Sequence, residues 1–403
     1  MAVTPYVFTG LNAPLTRQAV DAIIENIISG LTQPLPEPKE SVVQRITTRG
    51  PKDEILEFTG GDYRECFENM NDAFLDWGWS DGFPLFPPTE KAVKEMLLGT
   101  TRSPDDTVVE KFVPGMARAS VKNIAANAVM AGCKPEYLPV VIAAVEAMHD
   151  PAIRLRTVAM STGPHAPLFI VNGPLANKLR INSGMCALGP AGPERLSFAN
   201  VVIGRAVRLI LMNVGNAYPG VMDQDTIGSP TKFSMVLAEN EKANPWESYH
   251  IEKGFKSEES TVSCCYGHSL VEMCDLVSDT AEGVMNTFAR HLKGIAGISF
   301  VYYHPVLLIA PDHAAILSRD GWTKDDVRQY LYTHCRISAE EYRRSACVCH
   351  PPMRKWLEAA DSKAMVDLYE KPKDIEIVVV GGMAGKSAAY TNIFAANPHT
   401  IKG

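Results

Sequence analysis

No apolar run in this sequence is long enough to cross a bilayer. The longest, Val140 to Ala147, is short and is interrupted by Glu146. Nor does charge of one sign dominate. The 39 Lys and Arg against 46 Asp and Glu give a formal net charge of −7, which disfavours a sequence-wide hold on nucleic acid or an anionic membrane. A complete Cys-x-x-Cys pair is missing. Nine cysteines stand at irregular spacings, and the odd count in a 403-residue chain argues against a secreted disulfide framework. They read as mostly reduced thiols in a cytoplasm. Met1 to Gly30 lack a basic start followed by an apolar block, so no secretory leader is expected. Internal repeats and low-complexity tracts are also missing. With 46% hydrophobic and 21% charged residues, the composition excludes disorder and fits a globular chain with a large core.

Three regions are expected. Residues 1–60 form an N-terminal helix and arm: Leu15 to Leu31 is amphipathic with Thr16 as its cap, then Gln33 to Glu40 and a β-prone Ser41 to Thr48 follow. Residues 61–270 form the main ligand-binding region, and 271–403 a C-terminal α/β region closing the same core. Helices are predicted at Tyr63 to Trp77, Thr89 to Leu98, Ser120 to Ala131, Pro135 to His149 and Pro193 to about Asn213. Prolines keep Asp81 to Pro88 out of a helix. Arg156 to Thr162 and Leu168 to Asn172 read as paired strands. Further strands are expected at Phe233 to Ala238, Ser260 to Tyr266, Gly297 to Tyr303, Val306 to Ala310 and Ile375 to Val380. The class is α+β (mixed α/β), with buried central helices packed on a mixed sheet. The apolarity of the helices at 120–149 and 193–213 predicts a homodimer.

Chemistry concentrates in a few segments. The loop Asn182-Ser183-Gly184-Met185-Cys186-Ala187-Leu188-Gly189 precedes a predicted helix, where backbone amides and a positive dipole end suit an anion. Asn172 ends a buried strand, where sheets place ligand-facing residues. His165 lies in the loop at that strand's other end and suits a proton donor or acceptor. Cys133 sits between two apolar helices, beside Lys134 and ahead of a helix start, a setting that favours a thiolate; Cys186 lies within the Gly-rich loop. Asp223, Asp225 and Lys232, then Glu239, Asn240, Glu241 and Trp246, form an acidic passage fit for acid–base work or a cation. Cys347-Val348-Cys349-His350 is a thinner metal candidate, and Glu146 with His149 share a helix face at i, i+3. Val380 occupies the place where a P-loop needs glycine, so Gly381 to Ser387 reads as a Gly-rich turn after a strand. No motif assigns a cofactor.

Several of these pieces resemble an uncharacterised bacterial family encoded beside, or fused to, UGSC-motif (seleno)proteins. They are Asp81-Gly82-Phe83-Pro84 with Pro87-Pro88-Thr89-Glu90, Asn127 to Tyr137, Val171-Asn172-Gly173-Pro174, Ile181-Asn182-Ser183-Gly184, Pro245-Trp246-Glu247, Gly321-Trp322 with Asp325-Asp326-Val327-Arg328, and Gly381-Gly382. The likeness spans roughly residues 70–390. It implies a redox-active thiol or selenol protein as a partner.

The resulting expectation is a cytoplasmic enzyme for a small, polar, anionic substrate, using thiol-dependent chemistry at a C–S, C–N or disulfide bond. Cys133 or Cys186 would be the nucleophile and His165 the acid or base, with Glu241 beside them. Asn172, Asn182, Ser183, Gly184, Gly189, Lys232, Asn240 and Trp246 would bind substrate. The alternatives are a metal-dependent hydrolase or lyase using Asp223, Asp225 and Glu241, and a non-catalytic subunit that binds the thiol or selenol partner.

Overall fold

The computed structural model describes residues 17–18, 20–21, 23–32, 50–51, 55–192, 197–295, 304–345 and 356–402. The chain divides into two compact units, Met1–Glu57 and Phe58–Gly403. The described part of the first holds helix α1 (Ile24–Thr32). The expected pieces at 33–48, 297–303 and 347–350 lie outside the described residues.

The second unit opens with α2 (Tyr63–Asp76) and α3 (Glu90–Leu97). Each starts where a side chain accepts an otherwise unpaired backbone N–H: Asp62 from Glu65, and Thr89 from Ala92. Between them, Asp81 to Pro88 is non-helical, as its prolines require. An antiparallel hairpin of β1 (Thr107–Phe112) and β2 (Ala117–Ser120) then leads into α4 (Val121–Met130), whose start is fixed by a Ser120–Asn123 capping box. A 3-10 turn at Pro135–Tyr137 precedes α5 (Leu138–Met148). All of α5 except Glu146 is buried.

Among the described residues, seven strands build the main sheet, in the order β4 (Val236–Ala238), β3 (Ala166–Asn172), β5 (Thr261–Cys274), β10 (Lys386–Ala395), β6 (His304–Ile309), β9 (Glu376–Val379), with β11 (His399–Thr400) on β5. Pairings β3–β4 and β6–β9 are parallel and the rest antiparallel, so the sheet is mixed, as expected. Leu237 of β4 and Val378 of β9 sit in one cluster with Leu168, Ile170, Leu308 and Tyr390. These strands are the two ends of the sheet order, so the sheet curls around its own inner face. Helices cover the outer face. On one side, α5 and α6 (Ala199–Asn213) lie against β5 and β4 respectively. On the other, α7 (Ala281–Ile295), α8 (Pro311–Arg319) and α9 (Lys324–His334) bury Phe288, Leu317 and Leu331 against Leu307, Ile377 and Ala389. Between α9 and β9 come α10 (Ala339–Ser345) and a small antiparallel pair, β7 (Arg336–Ser338) and β8 (Met365–Asp367).

Three expectations change. The supposed strand 156–162 contains a short helix, Leu155–Ala159. β10 was not expected from the sequence, yet it is central. The boundary drawn near 270 falls inside β5, which pairs with β3 from before it and β10 from after it. The two apolar helices are also covered within the chain, which removes the argument for a second copy that rested on them. Among the described residues no helix is long and apolar enough to cross a membrane.

The 81–88 segment is pinned to α6 by one ion pair. Arg205 Nε and Nη2 donate to the two Asp81 oxygens at 2.8 Å each, and Nη2 also donates to the Phe83 and Pro84 carbonyls. The Asp81 side chain is only 1% exposed. Asp81→Ala should therefore destabilise the protein by about 3–5 kcal/mol, since it leaves a largely buried guanidinium unpaired. Adding Arg205→Met to that variant should recover part of the loss; urea unfolding measures both.

Candidate functional site

Side chains alternate across a strand. Leu168 and Ile170 face the inside of the curled sheet, so Asn172 does too, and Leu237 sets the same direction for Glu239 just past β4. Periodicity thus delivers an amide and a carboxyl to one end of the sheet interior, where they meet. Asn172 Nδ2 donates to Glu239 Oε2 at 2.6 Å and to Glu241 Oε1 at 3.0 Å. Glu241 Oε1 also accepts the Gly173 N–H at 2.7 Å. Glu239 accepts two further bonds, from Asn244 Nδ2 at 2.8 Å and from the Tyr249 N–H at 2.6 Å. Gly173 is needed here: its φ is +87°, and a Cβ would lie 2.2 Å from the Glu259 carbonyl oxygen.

Asn172 and Glu239 are buried, whereas the Glu241 side chain is 28% exposed. Burial pushes the Glu239 carboxyl up to about 7, and neighbouring Glu241 acts in the same direction; Lys324 and the hydrogen bonds from Tyr249 and Asn172 oppose them. Asn172 Oδ1 is buried with no hydrogen-bond partner among the described residues. His250 Nδ1 stands 3.0 Å from Ser248 Oγ and 3.7 Å from Glu241 Oε1. Burial lowers the His250 pKa, with Glu241 opposing.

Two Gly-containing loops join at the same place through backbone contacts. Ala238 N–H donates to Asn182 O at 3.0 Å, Gly381 N–H to Ser183 O at 2.8 Å, and Asn240 N–H to Val379 O at 2.8 Å. The structure therefore brings Asn172, Asn182, Ser183, Asn240 and Glu241 together. Asn182 plays a different part from the one expected. Its Nδ2 donates to the Met185 and Cys186 carbonyls and its Oδ1 accepts the Gly184 N–H, while the Gly189 N–H goes to Cys186 O. These loop groups hold the loop itself rather than facing an anion. The following helix is described only from Ala199. Asn244, Ser248 and His250 were missed by the sequence reading; their nearness to Glu239 in sequence was the available signal.

Other expected residues lie elsewhere. Trp246 Nε1 donates to Trp322 O, tying the 239–247 passage to the outer helices. The Cys133 thiol contacts Val202 O at 3.3 Å, and burial pushes its pKa up, with Arg205 opposing. That is the reverse of the thiolate expectation: removal from water outweighs the nearby positive charges. Glu146 pairs with Arg102 at 2.8 Å and His149 Nε2 meets Lys111 O, so both are occupied structurally.

His165 precedes β3 and Asn172 ends it, so at about 3.3 Å per residue they are roughly 20 Å apart. His165 belongs with Asp223, Lys232 and Arg208 around a cavity with about 450 Å³ of empty space, part of it open to solvent. Lys232 Nζ bridges Asp223 at 2.9 Å and Asp225 at 2.7 Å, filling the position a cation would take between them. Among the described residues, no group of three or more His, Cys, Asp and Glu is placed to hold a metal ion. The His165 and His268 rings lie with their centroids 4.2 Å apart, tilted by 44°. Burial lowers both pKa values, that of His268 to about 4 with His165 adding to the effect.

Two outcomes follow. Glu239 holds a proton in the folded state up to about 7 against an ordinary 4.5. Its contribution to stability is full below 4.5 and lost as pH rises through 7. Wild-type stability should fall across that window relative to Glu239→Gln, by urea unfolding at a series of pH values. In timed alkylation read by mass spectrometry, exposed Cys186 and Cys274 should react before buried Cys264, Cys265 and Cys335 and before Cys133. Compared with models of known protein families, with curated proteins and with solved structures, the chain matches none.

Proposed function

We propose that this chain is an enzyme that moves protons on a small polar substrate at the β3 and β4 ends, with Glu239 as general acid or base. The observation that carries the reading is the buried Glu239 carboxyl, with a pKa of about 7, bonded to Asn172 whose own oxygen has no partner. A carboxyl near neutrality can both take and give a proton at working pH, which general acid–base catalysis needs. Partly exposed Glu241 shares the Asn172 amide and offers a route toward solvent. Asn172 Oδ1 and the carboxylates are acceptors, so a substrate with hydroxyl or amino donors suits the site better than the anion first expected.

A thiol reading survives at Cys186 alone among the residues first chosen. It is exposed, with a φ of +54°, on the loop that Asn182 joins to the end of β4. The family likeness adds a proposed partner, a redox-active thiol or selenol protein. The seven described cysteines are free thiols, which suits a cytoplasmic setting.

The test is consumption of a pool of small polar metabolites, followed by mass spectrometry. Wild type should consume at least one compound, and Glu239→Gln should slow this about 100-fold or more. Asn172→Ala should also slow it, and Cys186→Ser should leave the rate near wild type. Turnover unaffected by Glu239→Gln overturns the acid–base role, and loss only in Cys186→Ser moves the chemistry to the thiol.

A further inference from the structure

The cavity at the start of β3 is built differently from the site at its end. One wall is apolar, formed by Val158, Phe169, Leu211 and Met235. The closed part is small enough to take only a ligand of a few heavy atoms. It lies beneath α6, which approaches closely because residue 204 is glycine: a Cβ there would sit 2.1 Å from Ser234 Oγ.

The polar end holds donors without a hydrogen-bond partner among the described residues. Lys232 takes both oxygens of Asp223 at 2.9 Å. Arg208 is thereby left at 3.7 Å from one of them, beyond hydrogen-bond range. The Arg208 side chain is only 10% exposed, and its guanidinium makes no hydrogen bond among the described residues. Tyr266 also lines the cavity, is 1% exposed, and its hydroxyl makes no hydrogen bond among them either. Buried donors are ordinarily satisfied. A guanidinium and a phenol facing one small space, opposite an apolar wall, call for an acceptor with a short hydrocarbon part. The planar fork of arginine matches a carboxylate best.

We infer that this cavity is a second ligand site, roughly 20 Å from Asn172 along β3, and that it binds a short-chain aliphatic carboxylate. The carboxylate would sit on Arg208 and the Tyr266 hydroxyl, with its alkyl group against Phe169, Leu211 and Met235. Inorganic phosphate lacks the apolar part, and a short alcohol lacks the charge, so both should bind less well.

Propionate, inorganic phosphate and n-propanol are the probes, titrated separately into the full chain by calorimetry, with ligand-observed NMR as a check. Propionate should bind at millimolar concentration or below, and about ten-fold more tightly than either of the others. Arg208→Met should weaken propionate about ten-fold or more, and Tyr266→Phe should weaken it several-fold, with circular dichroism confirming that each variant is folded. Tyr266→Phe keeps the ring and decides the matter if Arg208→Met does not fold. No propionate binding, or equal binding in a folded variant, overturns the inference. Equal affinity for n-propanol reduces the cavity to an apolar hole, and tighter binding of phosphate makes it a simple anion site; both reject the carboxylate assignment.

Discussion

Side chains from both edge strands, Leu237 of β4 and Val378 of β9, share one core because the sheet curls until its ends approach. The Asn172–Glu239 grouping depends on that closure. An open sheet would leave its inner face to be covered by another layer. A curled one buries the inner face on itself and leaves strand ends as the places where polar side chains can gather. Asn172 and Glu239 are continuations of the inner-face rows of β3 and β4, and the same alternation that makes Leu168, Ile170 and Leu237 core residues aims them inward. The Asn240 N–H on the Val379 carbonyl then joins the segment after one edge to the end of the other.

Burial acts on the two polar groupings in opposite chemical senses. It raises Glu239 toward neutrality and lowers His268 to about 4, because each loses water around its charged form. At neutral pH the first is poised to exchange a proton, while the second is a neutral ring beside a Lys–Asp network. The β3 strand separates them, so the Glu239 carboxyl and the Arg208, Lys232, Asp223 and Asp225 network stay apart. The sequence reading had merged them by placing His165, Cys133 and the Gly-rich loop in one pocket.

Much of the fold was legible. Thr89 announced its helix because a cap is a local hydrogen bond, and the helices at 63–77 and 120–131 were legible from their patterning. Proline kept 81–88 irregular for an equally local reason. Asn172 stood out as a polar residue ending an apolar strand, and the 381–385 segment as a Gly-rich turn after one. β10 did not stand out. Lys386-Ser387-Ala388-Ala389-Tyr390-Thr391 has little of the β-branched, alternating character of a strand, and it is a strand because β5 and β6 flank it. Leu155–Ala159 erred in the other direction, a helix within residues read as a strand.

The sequence by itself determined the starts of α2, α3 and α4, the apolar rows and the acidic, Asn-rich and Gly-rich segments, since each depends on neighbours a few residues away. Only the tertiary structure decided their company. It placed Glu239 and Glu241 on one amide, put Lys232 between two aspartates, and set the half-buried Cys133 thiol against the Val202 carbonyl of α6. Whether a carboxyl titrates near 7, or a thiol stays protonated, depends on the water that packing removes. That quantity belongs to the assembled fold.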